Sequence, residues 1–313
     1  MDGVCTIPYL KELAVILEST SWSLFSVRLT SSYTGFGLSS LGKDVEEIAQ
    51  CVKYVQSYKK AENPDRIDEG KVVIMGHSTG SQDVLHYIYM PNPLPVNSRF
   101  GVGLKHIKRP QVDGAIMQGA VSDREAVHAV LTTAPPEIAN VSQLAYTESV
   151  AMAKEAMYTE NDTLDVLLPL SLTSKLGFPA SAPLGARRFL SLVSPDSPQS
   201  PEEDDLFSSD LTDKRLEETF GMIATRGILK SKLMVLLSGN DQFQTNDINK
   251  ETLLMRWKAA TNKTTQNMYD DENSGVIPGA NHSLRGPDQA AARGELAKRV
   301  AHFLKLIEDQ SKL

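Results

Sequence analysis

The stretch KVVIMGHSTGSQDVLHYI, from Lys71 to Ile88, decides the fold of this chain and raises the question of its chemistry. Its apolar residues 72–75 are typical of a short strand that is buried on both faces of a parallel sheet. A helical pattern follows at 82–89. Between the two, Gly-His-Ser-Thr-Gly is typical of a sharp turn that holds a hydroxyl above the sheet. The pattern predicts that Ser78 is a nucleophile; the alternative is an ordinary serine in a tight turn.

Strands and helices alternate along most of the chain, which predicts an α/β fold with a doubly wound, mostly parallel sheet. The predicted strands are 22–29, 71–75, 112–121, 232–241 and 274–279, and the predicted helices are 6–19, 40–60, 82–89 and 294–309. Residues 124–230 interrupt this alternation. We interpret them as a cap inserted into a single domain whose core is 1–123 and 231–313. Within the cap, 194–205 is rich in Ser, Pro and acidic residues and predicts a mobile surface loop.

Composition narrows the classes of function. The net charge of −7 argues against non-specific nucleic-acid binding, which needs a basic surface. Two cysteines, Cys5 and Cys51, form no disulfide framework and predict reduced thiols. No apolar run reaches the roughly 18 residues of a membrane span, and the N-terminus lacks the basic region of a signal peptide. We therefore expect a cytoplasmic protein without nucleic-acid or membrane partners.

A serine nucleophile needs a base that takes its proton and an acid that orients the base. In this type of sheet the chain order is serine, acid, histidine, and the last two follow later strands. Asp241 ends the segment KLMVLLSGND, and His282 follows the last predicted strand. Both are expected at the carboxyl ends of strands, where open α/β sheets place their sites. Asp123, after the strand 112–121, is the alternative acid.

The five other histidines fit the role of base less well. His86 and His302 lie on predicted helices, and His106 and His128 lie in a loop or in the cap. His77 lies inside the turn and is expected to point away from the Ser78 hydroxyl. The sequence has no HExxH, no CxxC pair and no glycine-rich phosphate loop, so it predicts neither a metal site nor a protein-bound cofactor.

The loop SSYTGFGLSS, residues 31–40, follows a predicted strand and should lie at the same sheet edge as Ser78. Tyr33 and Phe36 from this loop, together with His77, are therefore our predicted substrate-contacting residues. The alternative for the loop is a connection that uses glycine only for its backbone freedom.

Seven stretches carry a family resemblance: TIPYLKELA, SSYTGFGLSSLGKDVEEI, GHSTGSQDVLHY, VSDREA, FSSDL, SGND and IPGANHSL. Together they span nearly the whole chain and resemble the α/β-hydrolase superfamily. Within it, the chain resembles a mainly fungal family that includes intracellular esterases of fusarinine-type siderophores. The resemblance implies that Ser78, Asp241 and His282 form a catalytic triad that hydrolyses a small-molecule ester through an acyl-enzyme. Iron would then belong to the substrate.

The resemblance also implies an oxyanion hole made of two backbone N–H groups. Thr79, directly after the serine, is the expected first donor. Relatives carry a strand and a glycine-rich turn before the first helix, whereas this chain opens at Met1. We therefore expect a fold without its earliest strands, and Gly3 or Val4 as the second donor. Two alternatives remain: an esterase for other lipid, thioester or xenobiotic substrates, and a hydrolase-like binding protein with negligible turnover.

Overall fold

The computed structural model describes residues 7–62, 70–96, 103–158, 165–244 and 248–309. Within this part of the chain, one sheet contains the strands β1 (Val73–His77), β2 (Val112–Gln118), β3 (Leu229–Ser238) and β4 (Gly275–Ile277). The strands lie in chain order, and all three neighbouring pairs are parallel. Their carboxyl ends therefore meet at one edge, as the sequence predicts.

Helices cover both faces of this sheet. Those outside the cap are α1 (Leu10–Leu17), α2 (Leu41–Glu62), α3 (Thr79–Tyr89), α10 (Lys250–Thr261) and α11 (Ala290–Asp309). Successive strand residues point to opposite faces. In β2, Ala115 and Met117 pack with α2, α3 and α10, while Ile116 packs with α1 and α11. No helix in the described ranges is long and apolar enough to cross a membrane.

The predicted strand at 22–29 is wrong. The segment has neither helical nor strand hydrogen bonding, and Leu24, Phe25 and Val27 are each at least 40% exposed. Residues of this segment and of β1 line the same cavity. The amino-acid types in this segment favour a strand. A β-strand also needs a neighbouring backbone about 4.8 Å away to accept and donate its hydrogen bonds. Among the described residues, this segment has no such neighbour.

The segment between β2 and β3 packs in two parts. Its first helices are α4 (Asp123–Thr133), α5 (Pro136–Tyr158), α6 (Leu170–Thr173) and α7 (Ala186–Val193), which enclose an apolar cluster of their own. The later helices, α8 (Asp213–Glu218) and α9 (Ile223–Arg226), follow Phe207, which packs on Trp257 of α10. Packing therefore changes from the cap to the sheet near residue 206, while a domain boundary at 230 stays a prediction.

The segment 194–205 is a loop, as predicted, but several of its residues are buried, and its mobility stays a prediction. The segment forms neither helix nor strand, but its own side chains tie it together. The Ser194 hydroxyl lies 3.0 Å from the Ser197 hydroxyl and accepts the Glu202 N–H at 2.9 Å. The Ser197 hydroxyl also donates to Asp205, which is buried. Serine and acidic residues usually face water; here they serve as one another's partners.

Candidate active site

The turn between β1 and α3 holds Ser78 in a strained backbone conformation. Its φ is 57° and its ψ is −122°, a combination that non-glycine residues seldom adopt. A Cβ at Gly76 would lie 1.9 Å from the carbonyl oxygen of Gly80, so only glycine fits there. A Cβ at Gly80 would meet nothing within 4 Å. The first glycine of the pattern is therefore required by the turn, whereas steric contact does not require the second.

Two loops bring an imidazole and a carboxylate to this serine. His282 follows β4, and its Nε2 lies 2.8 Å from the Ser78 Oγ. The Nδ1 of His282 lies 2.8 Å from Oδ2 of Asp241, which follows β3. The other Asp241 oxygen accepts the Phe243 N–H at 3.0 Å, and Gln242 accepts the backbone N–H of His282 at 3.0 Å. The geometry allows the imidazole to take the serine proton while the carboxylate holds its far side.

Asp123, the alternative acid, has other partners. It begins α4, where its carboxylate accepts a hydrogen bond from Gln82 Nε2 at 3.0 Å. Burial, reinforced by the charge of Asp204, raises the pKa of Asp123 to about 6. Asp241, not Asp123, accepts the hydrogen bond from His282 Nδ1. The geometry therefore favours Asp241 over Asp123 as the partner of the imidazole.

The N-terminus of α3 faces the same place. Thr79 is the first residue of that helix, and the first N–H groups of a helix have no acceptor within it. Thr79 lines the cavity beside Ser78, so a negative charge that develops on a bound carbonyl oxygen would lie near the positive end of the helix dipole. Gly3 and Val4, the predicted second donors, lie outside the described residues.

A cavity of about 800 Å³ opens in front of Ser78. Its lining includes the apolar residues 72–75, which lead into β1, and most of the segment 22–29. At the serine end, Phe243 stands edge-on to His282 with 4.8 Å between ring centres. A cavity of this size and lining is typical of small-molecule sites.

His77 lies where a residue that contacts the substrate would lie. It lines the cavity, and its ring centre lies 4.9 Å from that of His282. Its Nδ1 shares a short hydrogen bond with the side-chain oxygen of Gln118 on β2. The ring is therefore held against the sheet beside the histidine that faces Ser78.

The two predicted aromatic contacts lie elsewhere. Tyr33 is 50% exposed, and Phe36 packs into the apolar cluster of the cap. Neither lies on the wall of this cavity, which the same loop approaches through Ser31 and Ser32. The sequence correctly suggested that this loop reaches the cavity, but the side chains that face it are the small polar ones.

Sequence reasoning missed a group of buried charges on the other side of Ser78, around Arg188 of α7. The Nη1 of Arg188 donates to Asp204 at 2.7 Å, and its Nε and Nη2 have no hydrogen-bond partner among the described residues. Asp44 of α2 and Asp83 of α3 lie near enough to raise the pKa of Arg188, against the effect of its burial. Burial also raises the pKa of Asp44 to about 6. No local pattern signals such a group, because its members are far apart in the sequence.

The described residues contain no group of three or more His, Cys, Asp and Glu side chains placed to hold a metal ion. The absence of a cofactor and of a metal stays a prediction from the sequence.

Known proteins resemble this chain over nearly its full length. Residues 1–305 match the family described as "Protein of unknown function (DUF1749)". The chain is 49% identical over 311 residues to fusarinine C esterase sidJ of Aspergillus fumigatus, an alignment that covers 98% of this chain and 86% of that protein. It is 48% identical over 316 residues to esterase AN6793 of Emericella nidulans, with 98% and 84% covered.

A solved structure shares the fold of this chain. The siderophore hydrolase EstB from Aspergillus fumigatus matches this structure with a TM-score of 0.84 at 48% identity. The match covers 98% of this chain and 87% of that one. Together with the parallel sheet and its flanking helices, it confirms the predicted α/β-hydrolase fold.

Proposed function

The chain belongs to the DUF1749 family, and we propose that it is a serine esterase that cleaves ester bonds of hydroxamate siderophores of the fusarinine type. The observation that carries this proposal is the chain of hydrogen bonds from Ser78 through His282 to Asp241, in a protein 49% identical to a fusarinine C esterase. Esterase names among the relatives support a carboxylic ester hydrolase. The two hydrogen bonds of His282 support Ser78 as its nucleophile, His282 as the base and Asp241 as the orienting acid.

In the first half of the reaction, Ser78 Oγ attacks the ester carbonyl carbon while its proton passes to His282 Nε2. Asp241 accepts the Nδ1–H bond and stabilises the charged imidazole. The carbonyl oxygen becomes an oxyanion, which the N–H of Thr79 is placed to receive. The tetrahedral intermediate then collapses. The C–O bond to the alcohol breaks, and His282 gives its proton to the departing alkoxide, which leaves an acyl group on Ser78.

In the second half, water replaces the alcohol. His282 takes a proton from the water as it attacks the acyl carbon, and a second oxyanion forms in the same position. Collapse breaks the bond to Ser78 Oγ, which regains its proton from His282. One ester and one water thus give one acid and one alcohol, and the enzyme returns to its starting state.

Ester cleavage would weaken the hold of a hydroxamate siderophore on its iron. A linked set of chelating arms binds a metal at a high effective concentration, and cutting the links removes that advantage. Iron is therefore part of the substrate in this proposal, and its release follows hydrolysis. We place the reaction in the cytoplasm, as the sequence predicts.

The test is hydrolysis of ferric fusarinine C by the purified protein, beside a panel of p-nitrophenyl esters. We expect mass spectrometry to show stepwise addition of water to the siderophore, and a Ser78→Ala variant to show none. Turnover of the simple esters alone would favour an esterase for other substrates. Folded protein whose Ser78 a fluorophosphonate fails to label would favour a binding protein.

A further inference from the structure

A second carboxylate faces the cavity in front of Ser78, and the proposed reaction does not use it. Asp83 of α3 lines that cavity, although its side chain is only 5% exposed. Its Oδ1 is fully buried and has no hydrogen-bond partner among the described residues. A buried polar oxygen without a partner is costly, and a bound donor would remove that cost.

The position of Asp83 fits a contact with the substrate. It follows Thr79 by four residues and Gly80 by three, so these residues share one face of α3. All three line the cavity together with Ser78. Five residues of helical rise separate Asp83 from Ser78, which is about 7 Å along the helix axis. A substrate whose ester lies at Ser78 therefore reaches Asp83 with a short extension.

The charged groups around Asp83 determine whether a cation or an anion is favoured there. Asp44 and Glu47 approach it from α2, Arg188 from α7, and Asp204 from the segment after α7. Arg188 is the one cation in this group, and Asp204 already takes its Nη1. Acidic neighbours outnumber the single cation, so the net charge around Asp83 is negative. The site therefore repels carboxylates and phosphates and attracts a cation.

We propose that Asp83 binds a cationic group of the substrate, a primary ammonium, and so selects esters that carry one a few bonds from the scissile carbonyl. Three N–H donors of an ammonium suit a carboxylate that has an unused oxygen in a narrow, dry position. This inference rests on the proposed function, because it concerns the substrate of the same cavity.

The shifted pKa of Asp83 agrees with its position beside the cavity. Burial raises the pKa of Asp83 well above its ordinary value, and the neighbouring charge of Asp44 adds to this effect. The raised pKa favours the protonated carboxyl, whereas a bound ammonium ion favours the ionised carboxylate. Binding of an ammonium ion should therefore release protons, and affinity should rise with pH as Asp83 ionises in the unliganded protein.

The experiment is calorimetry of the whole chain with n-hexylammonium chloride and, as its uncharged counterpart, 1-hexanol. We expect the amine to bind about tenfold or more tightly than the alcohol, because a charge-assisted hydrogen bond is roughly twice as strong as a neutral one. Titration in two buffers of different ionisation enthalpy measures the released proton. Equal binding of amine and alcohol by the wild-type protein would overturn the proposal without any variant.

The Asp83→Asn variant locates the effect. The amide has nearly the same shape and removes the repulsion from Asp44, so we expect folded protein that loses about tenfold or more in affinity for hexylammonium and none for hexanol. Asp123→Asn is the control, because burial also raises the pKa of Asp123, which does not line the cavity. Equal losses of hexylammonium affinity in the two variants would show a long-range electrostatic effect and refute a contact at Asp83.

A parallel assay separates this inference from the proposed function. The same preparations are tested for hydrolysis of p-nitrophenyl butanoate, which carries no cation. Amine binding without turnover would support the ammonium site at Asp83 and contradict the proposed esterase activity. Turnover without amine preference would do the reverse.

Discussion

Two groups of buried carboxylates flank Ser78, and they differ in how completely their polar atoms are paired. On the side of β3 and β4, Asp241 uses one oxygen for His282 and the other for the Phe243 N–H. On the side of α2 and α7, the group around Arg188 leaves several nitrogen and oxygen atoms without a partner among the described residues. The first group is fixed before any ligand arrives, and the second is not.

The difference indicates what each group can do. A base that must take a proton from Ser78 works best when its orientation is held in advance, and the fully paired His282 and Asp241 meet that need. Unpaired buried charges cost free energy that a bound ligand can recover. We therefore expect changes on the paired side to stop the chemistry, and changes on the unpaired side to alter stability and selectivity.

The largest expected effect is at the serine. Ser78→Ala should lower kcat for p-nitrophenyl butanoate by about 10⁵-fold or more, and His282→Ala by a similar factor, since the two act as a unit. For the same reason, the double variant should lose little beyond either single one. Steady-state kinetics measures all three, with labelling by a fluorophosphonate as a check on Ser78.

These serine and histidine variants also sharpen the comparison. Ser78→Ala should leave hexylammonium binding unchanged within about twofold, because Asp83 keeps its surroundings. A loss of amine binding in Ser78→Ala would show that the two sides of the cavity are one site.

The next effect is at the orienting acid. Asp241→Asn should lower kcat by about 10³- to 10⁴-fold, because an amide favours the wrong tautomer of His282. The protein should fold normally, since Asn keeps an acceptor for the Phe243 N–H. Kinetics with the same ester gives the loss, and a loss below about tenfold would mean that another group orients the imidazole.

The arrangement of Ser78, His282 and Asp241 was predictable from the sequence because each of its parts has a local signature, while their catalytic roles stay a proposal. The strand before Ser78, the glycine of its turn and the strand ends before Asp241 and His282 are readable within about ten residues each. Parallel strands bring their carboxyl ends together at one edge, so local position became spatial position. In the structure, His282 lies within hydrogen-bond distance of both Ser78 and Asp241.

The unpaired side was not predictable, because it depends on contacts between distant parts of the chain. Asp44, Asp83, Arg188 and Asp204 come from three helices and one irregular segment. The same limit explains the wrong strand at 22–29, whose residue types suit a sheet while a neighbouring backbone is missing from the described residues. It also explains why Phe36, on a loop that reaches the cavity, packs into the cap instead.

A stability effect is expected at the centre of the unpaired group. Arg188→Met removes the one buried cation among these acids and should lower the free energy of unfolding by about 3–5 kcal/mol, since it leaves buried carboxylates uncompensated. Urea denaturation at pH 7 measures this loss. Lys154→Met, which removes an exposed ion pair with Asp196, is the control and should cost less than about 1 kcal/mol.

The pH dependence of stability gives a smaller and more specific test. Burial raises the pKa of Asp44 to about 6 in the folded protein, above its ordinary value of 3.8. The folded state thus binds this proton more tightly, so Asp44 favours folding at low pH and this contribution is lost as the pH rises through about 6. We expect wild-type stability to fall between about pH 4 and pH 6 in urea titrations, and that of Asp44→Asn to fall less. Equal slopes would mean that Asp44 is paired in solution.

The smallest effect is expected at Asp123, and it tests the division between the two sides directly. Its carboxylate accepts from Gln82 and lies on the unpaired side, while His282 Nδ1 already has Asp241. Asp123→Asn keeps an acceptor for Gln82 and removes a charge whose burial is unfavourable, so kcat/KM for p-nitrophenyl butanoate should change by less than about threefold. The same assay on Asp241→Asn supplies the contrast. If Asp123→Asn cost as much as Asp241→Asn, both acids would act on the imidazole, and the paired and unpaired groups would be one catalytic network.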